Sequence, residues 1–338
     1  MSMIFNEDFL VCSAGYDEIM NGTVLPFLKE KERQATVAGF EGRSLYCVTY
    51  DADQPVGTVL IVHGFTENAL KYAELIWSLL HLHYSVIAYD QRGHGRSWRD
   101  GGLPDISVTH VEHFEEYVED LRIVCESILS GMPLPHLVFA HSMGGAVASL
   151  FLERCPGVFS GAVLSSPMIA PDLGGFPAWT ASALGHCARI LGKKKKNPFF
   201  MKPWSGPENF ASSCATDPER FAWYDGIKTS HPEFRNSVPS YQWSLESIKV
   251  TGKILAAGEP EKISCPVLVC TADTDHTVLP EPQRMLAERI PRGRQMVVRN
   301  AKHEIFRSRN DVLFPWWHEA TAFFRSAVSA QNDQGVDA

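Results

Sequence analysis

The sequence shows no C-x-x-C pair, no basic stretch followed by an apolar core in its first twenty residues, no apolar run approaching the roughly 20 residues that span a bilayer, and no surplus of positive charge. Each absence removes a class of function. The scattered spacing of its eight cysteines argues against zinc and dithiol redox chemistry. Several lie in apolar stretches such as CPVLVC (265 to 270), which reads as buried free thiols in a reducing compartment. The N-terminus MSMIFNEDFLVCSAGYDEIM places acids early, so no signal peptide is expected and the protein is expected in the cytoplasm. With 31 Lys and Arg against 39 Asp and Glu, the net charge is -8, and a nucleic-acid partner, which needs a basic face, is not expected. Arg307 stands where H-E-x-x-H would need its second histidine after His303 and Glu304. Trp98 stands where a G-x-G-x-x-G fingerprint beginning at Gly93 and Gly95 would need its third glycine. Neither a metal nor any other cofactor is therefore expected, and DQRGHGRS (90 to 97) reads as a tight turn held by Asp90 and Arg92.

What is present is an ordinary globular composition, 45% hydrophobic and 21% charged over 338 residues, enough to bury roughly 75% of the unfolded surface. From about residue 33 short apolar runs alternate with helical patterns, the signature of an α/β protein with a mostly parallel sheet. Residues 36 to 50 read as a hairpin turning at Glu41 and Gly42. Strands follow at 58 to 64, 85 to 90, 137 to 140, 161 to 167, 266 to 272 and 294 to 300. Helical patterns fill 68 to 82, about 111 to 129, the stretch after Ser142, and about 314 to 328. The alternation breaks between Pro167 and about Cys265, where Pro, Gly and aromatics dominate. Nearly a hundred irregular residues are too many for a loop, so 168 to 262 is expected to be an inserted cap between a first part, 1 to 167, and a second, 263 to 338.

The chemistry centres on LVFAHSMGGAVASLFL (137 to 152). An apolar run becomes, within two residues, a stripe of Met143, Val147, Leu150 and Phe151 at helical spacing. Only small neighbours allow so sharp a turn, and Ser142 sits at its apex. AHSMG matches the nucleophile elbow G-x-S-x-G with Ala140 in the first glycine position, and the Met143 N–H lies where it can donate to an oxyanion. A serine needs a base and an acid to orient that base. His141 is adjacent but points away at such a turn. His303, after the last strand, is the expected base. TADTDHTV (271 to 278) supplies two carboxylates. Asp275, three residues from both Ala272 and Val278, resembles the acid of G-x-x-D-x-x-V, while Asp273 stays open as the alternative. The second oxyanion donor is expected from LIVHGFTEN at the Phe65 N–H, with His63 in a structural role.

HGFTENALKYAEL, YDQRGHGRS, AHSMGGA, PSYQWSLESI and KHEIF, in that order, resemble the α/β-hydrolase superfamily and within it the group of lysophospholipase L2 and monoacylglycerol lipase. The alanine before His141, the Pro239 to Ile248 segment and HEI at 303 to 305 are closer to lysophospholipase L2. The resemblance implies an eight-stranded sheet, a cap after the sixth strand, and Ser142, Asp275 and His303 in the roles given above. It also implies hydrolysis of a carboxylic ester of a lysophospholipid or monoacylglycerol through an acyl-enzyme, releasing a fatty acid. Cys270 and Thr271 depart from the glycine often found near the acid, which keeps Asp273 in play. A thioesterase, peptidase or acyltransferase on the same fold, or a ligand-binding protein without catalysis, are the alternatives. The expected partner is a small lipid ester. The cap aromatics read either as the wall of an acyl pocket or as the cap's own core. Lys193 to Lys196, beside Phe199 and Phe200, read either as a solvated loop or as a contact with an anionic membrane surface, worth about 1 kcal/mol per basic residue.

Overall fold

The structure, a computed structural model, describes residues 4–336. Among these residues ten strands form: β1 (Glu32–Ala38), β2 (Ser44–Tyr50), β3 (Gly57–Val62), β4 (Tyr84–Tyr89), β5 (Val108–Thr109), β6 (His136–His141), β7 (Gly161–Ser165), β8 (Val238–Pro239), β9 (Val267–Ala272) and β10 (Gly293–Val298). Eight of them make one sheet in the order β1-β2-β4-β3-β6-β7-β9-β10. Only the β1/β2 and β2/β4 pairs are antiparallel. Every residue of β3, β4, β6, β7 and β9 is buried, because both faces of the sheet are covered.

The α-helices among the described residues are α1 (Tyr16–Ile19), α2 (Leu25–Lys31), α3 (Ala73–His81), α4 (Glu115–Ser127), α5 (Met143–Arg154), α6 (Ala178–Ile190), α7 (Pro218–Ser230), α8 (Tyr241–Ile254), α9 (Pro280–Arg289) and α10 (Asn310–Val336). Alternate strand residues feed opposite cores, as the two-residue period of a strand requires. Ile61, Ala88, Phe139 and Cys270 pack with α3 and α10, whereas Leu60, Ile87, Val138 and Val269 pack with α4, α5 and α9. Each fully buried Val, Ile or Leu contributes roughly 1.5–3 kcal/mol.

The segment 168 to 262 carries α6, α7 and α8. Trp223 and Tyr224 of α7 join the first core, and Trp243, Val250 and Ile254 of α8 join the second. β8 of this segment pairs in parallel with β5, just before α4. Among the aromatics of the segment 168 to 262, Phe221, Trp223, Tyr224, Phe234, Tyr241 and Trp243 are buried, while Phe176, Trp179, Phe199 and Phe200 are exposed. The turn after β4 is pinned as its composition suggests. Asp90 accepts the Ala69 and Arg96 N–H groups, and Arg92 grips the Asp120 carboxylate of α4 through Nε and Nη2 at 2.5 and 2.8 Å. All eight cysteines are free thiols, four of them buried.

Candidate active site

Ser142 joins β6 to α5 with φ 52° and ψ -119°, a backbone conformation that non-glycine residues avoid at a cost of order 1–3 kcal/mol. The neighbours show why the joint needs glycine. A Cβ on Gly144 would sit 2.2 Å from the Val62 carbonyl oxygen, and one on Gly145 would sit 2.5 Å from the Pro167 Cβ. The Ser142 N–H donates to the Ser165 carbonyl at 3.1 Å, and the Ser142 carbonyl accepts the Met168 N–H at 2.8 Å. The strained joint is thus held from both sides.

The strands β9 and β10 are parallel neighbours, so the loops leaving their C-terminal ends emerge on the same edge as Ser142. The first loop brings Asp275, the second His303. His303 Nε2 lies 2.8 Å from Ser142 Oγ, and Nδ1 lies 2.7 Å from Asp275 Oδ2. A carboxylate only accepts, so the ring proton sits on Nδ1 and the free Nε2 lone pair accepts the serine hydroxyl. The second Asp275 oxygen accepts the Thr277 and Val278 N–H groups at 2.7 and 3.1 Å. Burial pushes the Asp275 carboxyl up, but the His303 ring and those two N–H groups outweigh it, and the group is held below its ordinary value. Asp273 turns elsewhere and accepts the Ala301 N–H.

The N–H groups of Phe65 and Met143 make no hydrogen bond among the described residues, and Met143 is the first residue of α5, whose opening N–H groups have no partner within the helix. Thr66, next to Phe65, has φ 63°, a value β-branched residues rarely adopt. The loop is held there by side chains. Glu67 Oε2 accepts the Gly64 N–H at 2.6 Å, and the Asn68 amide donates to the Tyr224 hydroxyl of α7 at 2.7 Å. His63 is structural: Nδ1 donates to the Gly64 carbonyl and Nε2 accepts the Gln91 N–H at 2.9 Å. His141 turns away from Ser142, donating from Nδ1 to the Ser165 carbonyl at 3.0 Å, and its ring packs 4.8 Å from that of His303. Burial pushes His141 down to about 4, so it is neutral.

Four residues to which the sequence assigns no part in the site, Glu67, Lys71, Glu304 and Arg307, complete the surroundings. Lys71 Nζ lies 2.9 Å from Glu67 Oε1 and 2.6 Å from Glu304 Oε1, and Arg307 reaches the other Glu304 oxygen at 2.6 Å. Burial works against the Lys71 ammonium, but Glu304 and Glu67 more than offset it and raise its pKa. The spacings 67/71 and 304/307 are legible as helical-type ion pairs. Nothing in them reveals that both are buried and meet across 233 residues. Among the described residues one group of potential metal ligands, Glu7, Asp8 and His318, lies within 4.8 Å, and none of it belongs to the Ser142 site.

A family model described as serine aminopeptidase, S33, matches residues 53–310. The chain is 27% identical over 331 residues to lysophospholipase L2 of Escherichia coli (strain K12), covering 94% of each protein. It is 29% identical over 261 residues to the monoacylglycerol lipase of Mycolicibacterium smegmatis, covering 75% of this chain and 82% of that one. The solved monoacylglycerol lipase of Paleococcus ferrophilus superimposes with a TM-score of 0.62 at 24% identity, over 84% of this chain and 98% of that one, a likeness of fold.

Proposed function

Because the chain belongs to the serine aminopeptidase S33 family of α/β-hydrolases, we propose that it is a serine hydrolase that cleaves a carboxylic ester of a lysophospholipid or monoacylglycerol and releases a fatty acid. The observation that carries this reading is the His303 ring between Ser142 Oγ and Asp275 Oδ2, at 2.8 and 2.7 Å. In the proposed reaction Ser142 Oγ attacks the ester carbonyl as its proton passes to Nε2 of His303. Asp275 holds the ring and offsets the charge of the imidazolium. The Phe65 and Met143 N–H groups donate to the developing oxyanion, each such donor typically contributing about 10²- to 10³-fold in rate. The imidazolium returns the proton to the leaving alcohol, and water, deprotonated by the same ring, frees the acid. Residues 168 to 262 act in this reading as the cap that selects the substrate, and no metal or other cofactor takes part.

Six large apolar side chains between residues 176 and 200, Phe176, Trp179, Ile190, Leu191, Phe199 and Phe200, are all exposed, and the rings of Phe199 and Phe200 meet at 5.3 Å. We propose that this stretch touches a lipid surface, from the cytoplasmic side, when the enzyme collects its substrate; co-sedimentation with vesicles is the check. No helix among the described residues is long and apolar enough to cross a membrane.

The discriminating experiment is a hydrolysis panel of lysophosphatidylethanolamine, lysophosphatidylcholine, monoacylglycerol, a short soluble ester and an aminoacyl anilide, the last because the family description names an aminopeptidase. Hydrolysis of the lipid esters and fluorophosphonate labelling, both lost in Ser142→Ala, are expected. Turnover of the anilide or the short ester alone would overturn the lipid assignment.

A further inference from the structure

We infer that Lys71 is a positioning residue for this reaction, clamping the loop that offers the Phe65 N–H to the loop that carries His303. The inference rests on the ester-hydrolase reading. One arm of the clamp is Glu67, 2.9 Å from the ammonium, whose second oxygen holds the Gly64 N–H at 2.6 Å, one residue before Phe65, and the Tyr72 hydroxyl at 2.5 Å. The other arm is Glu304, 2.6 Å from the ammonium and the residue next to His303. Oxyanion donor and base, far apart in the chain, are therefore linked through two carboxylates and one cation.

The surroundings make this link hard to replace. The Lys71 ammonium is buried, 5.0 Å above the Tyr224 ring and 5.8 Å from that of Phe306, so its charge is met by the two carboxylates and not by bulk solvent. Glu67 and Glu304 are matched in charge by Lys71 and Arg307, and the neutral His141, 3.7 Å from Glu67, adds none. A buried set of this kind is weak evidence for stability, since apolar side chains of the same volume often serve as well. What apolar packing lacks is direction. The loop it holds needs direction, because the positive φ of Thr66 is not a conformation that residue favours by itself. Misplacing reacting groups by about 1 Å costs on the order of 100-fold in rate, so a clamp across the oxyanion donor and the base acts on turnover.

The test compares Lys71→Met and Lys71→Arg on a soluble p-nitrophenyl ester, with active sites counted by fluorophosphonate titration to completion. In Lys71→Met, kcat per titrated site is expected to fall about 10- to 100-fold while KM stays within about twofold. Lys71→Arg, which keeps a cation able to reach both carboxylates, is expected to recover most of that loss. Wild-type kcat per site in Lys71→Met, a loss carried by KM, or a loss that arginine leaves unrepaired would each overturn the clamp. If Lys71→Met does not fold, Glu304→Gln reads the same link, since it keeps the volume and the Lys71–Glu67 pair. Its kcat is expected to drop about tenfold, and an unchanged kcat in folded protein overturns the inference. Failure of the ester-hydrolase reading looks different: hydrolysis would survive Ser142→Ala, whatever Lys71 does.

Discussion

Asp273 and Asp275 lie two residues apart on one loop, and only one of them meets a ring nitrogen. Asp275 reaches His303 Nδ1 at 2.7 Å while Asp273 accepts a backbone N–H at 3.2 Å. Replacing Asp275 by Asn keeps the shape but favours the wrong tautomer of His303, so kcat is expected to fall about 10³- to 10⁴-fold with the fold intact. Asp273→Asn, at an exposed position, keeps an oxygen that can accept the Ala301 N–H and should stay within about threefold of wild type. Steady-state kinetics on both variants checks the pair, and comparable losses would refute the assignment. The sequence leaves the two acids open because a loop has no side-chain period to say which one turns inward. Ser142 is legible for the opposite reason. Its elbow is a local steric problem, written in the adjacent Gly144 and Gly145. The Glu67–Lys71–Glu304 set is not legible, since charged residues of this kind are mostly exposed and only the tertiary fold buries these.

At the scale of elements, the buried parallel strands are readable because a strand covered on both faces must be an unbroken apolar run. β3, β4, β7 and β9 begin or end within one or two residues of their apolar limits. β5 and β8 escape, since two residues carry no period, and so do α1 and α2, which lie ahead of the first strand signal. The stretch Lys193 to Lys196 is where element and composition diverge. Lys194 pairs with Glu112 at 2.7 Å and Lys195 with Asp100 at 2.7 Å, so half of the basic run is already neutralised by acids outside the segment 168 to 262. Lipid contact should then depend on Phe199 and Phe200 more than on charge. Each buried phenylalanine contributes roughly 1.5–3 kcal/mol, so Phe199→Ser with Phe200→Ser is expected to weaken vesicle binding by at least about tenfold. Neutralising the four lysines should weaken it less, and only on anionic vesicles. Unchanged co-sedimentation of the double serine variant would remove the lipid-facing role of this face.

Across the whole molecule, the segment 168 to 262 is tied to the α/β part at several depths. Arg220 of α7 holds Glu74 of α3 through Nε and Nη2 at 2.9 and 2.8 Å, its neighbour Asp217 at 3.2 Å, the Val11 carbonyl at 2.5 Å and the Asn310 side chain at 2.9 Å. One guanidinium thus gathers the N-terminal segment, α3, α7 and the start of α10 in a buried site. Arg307, beside the His303 loop, donates to the Arg220 and Phe221 carbonyls and extends the same junction to the active site. Arg220→Met would leave Glu74 without its cation in the interior, and removing one partner of a buried pair typically costs about 3–5 kcal/mol. Arg220→Met combined with Glu74→Gln removes that unpaired acid and should cost clearly less. With Trp223 and Trp243 in the segment and Trp77, Trp316 and Trp317 in the α/β part, tryptophan fluorescence reports both in one urea titration. A single transition is expected for wild type, moved to lower urea in Arg220→Met with its slope unchanged. Two resolved transitions in the wild-type protein would mean that the segment folds independently and that Arg220 does not weld it to the site.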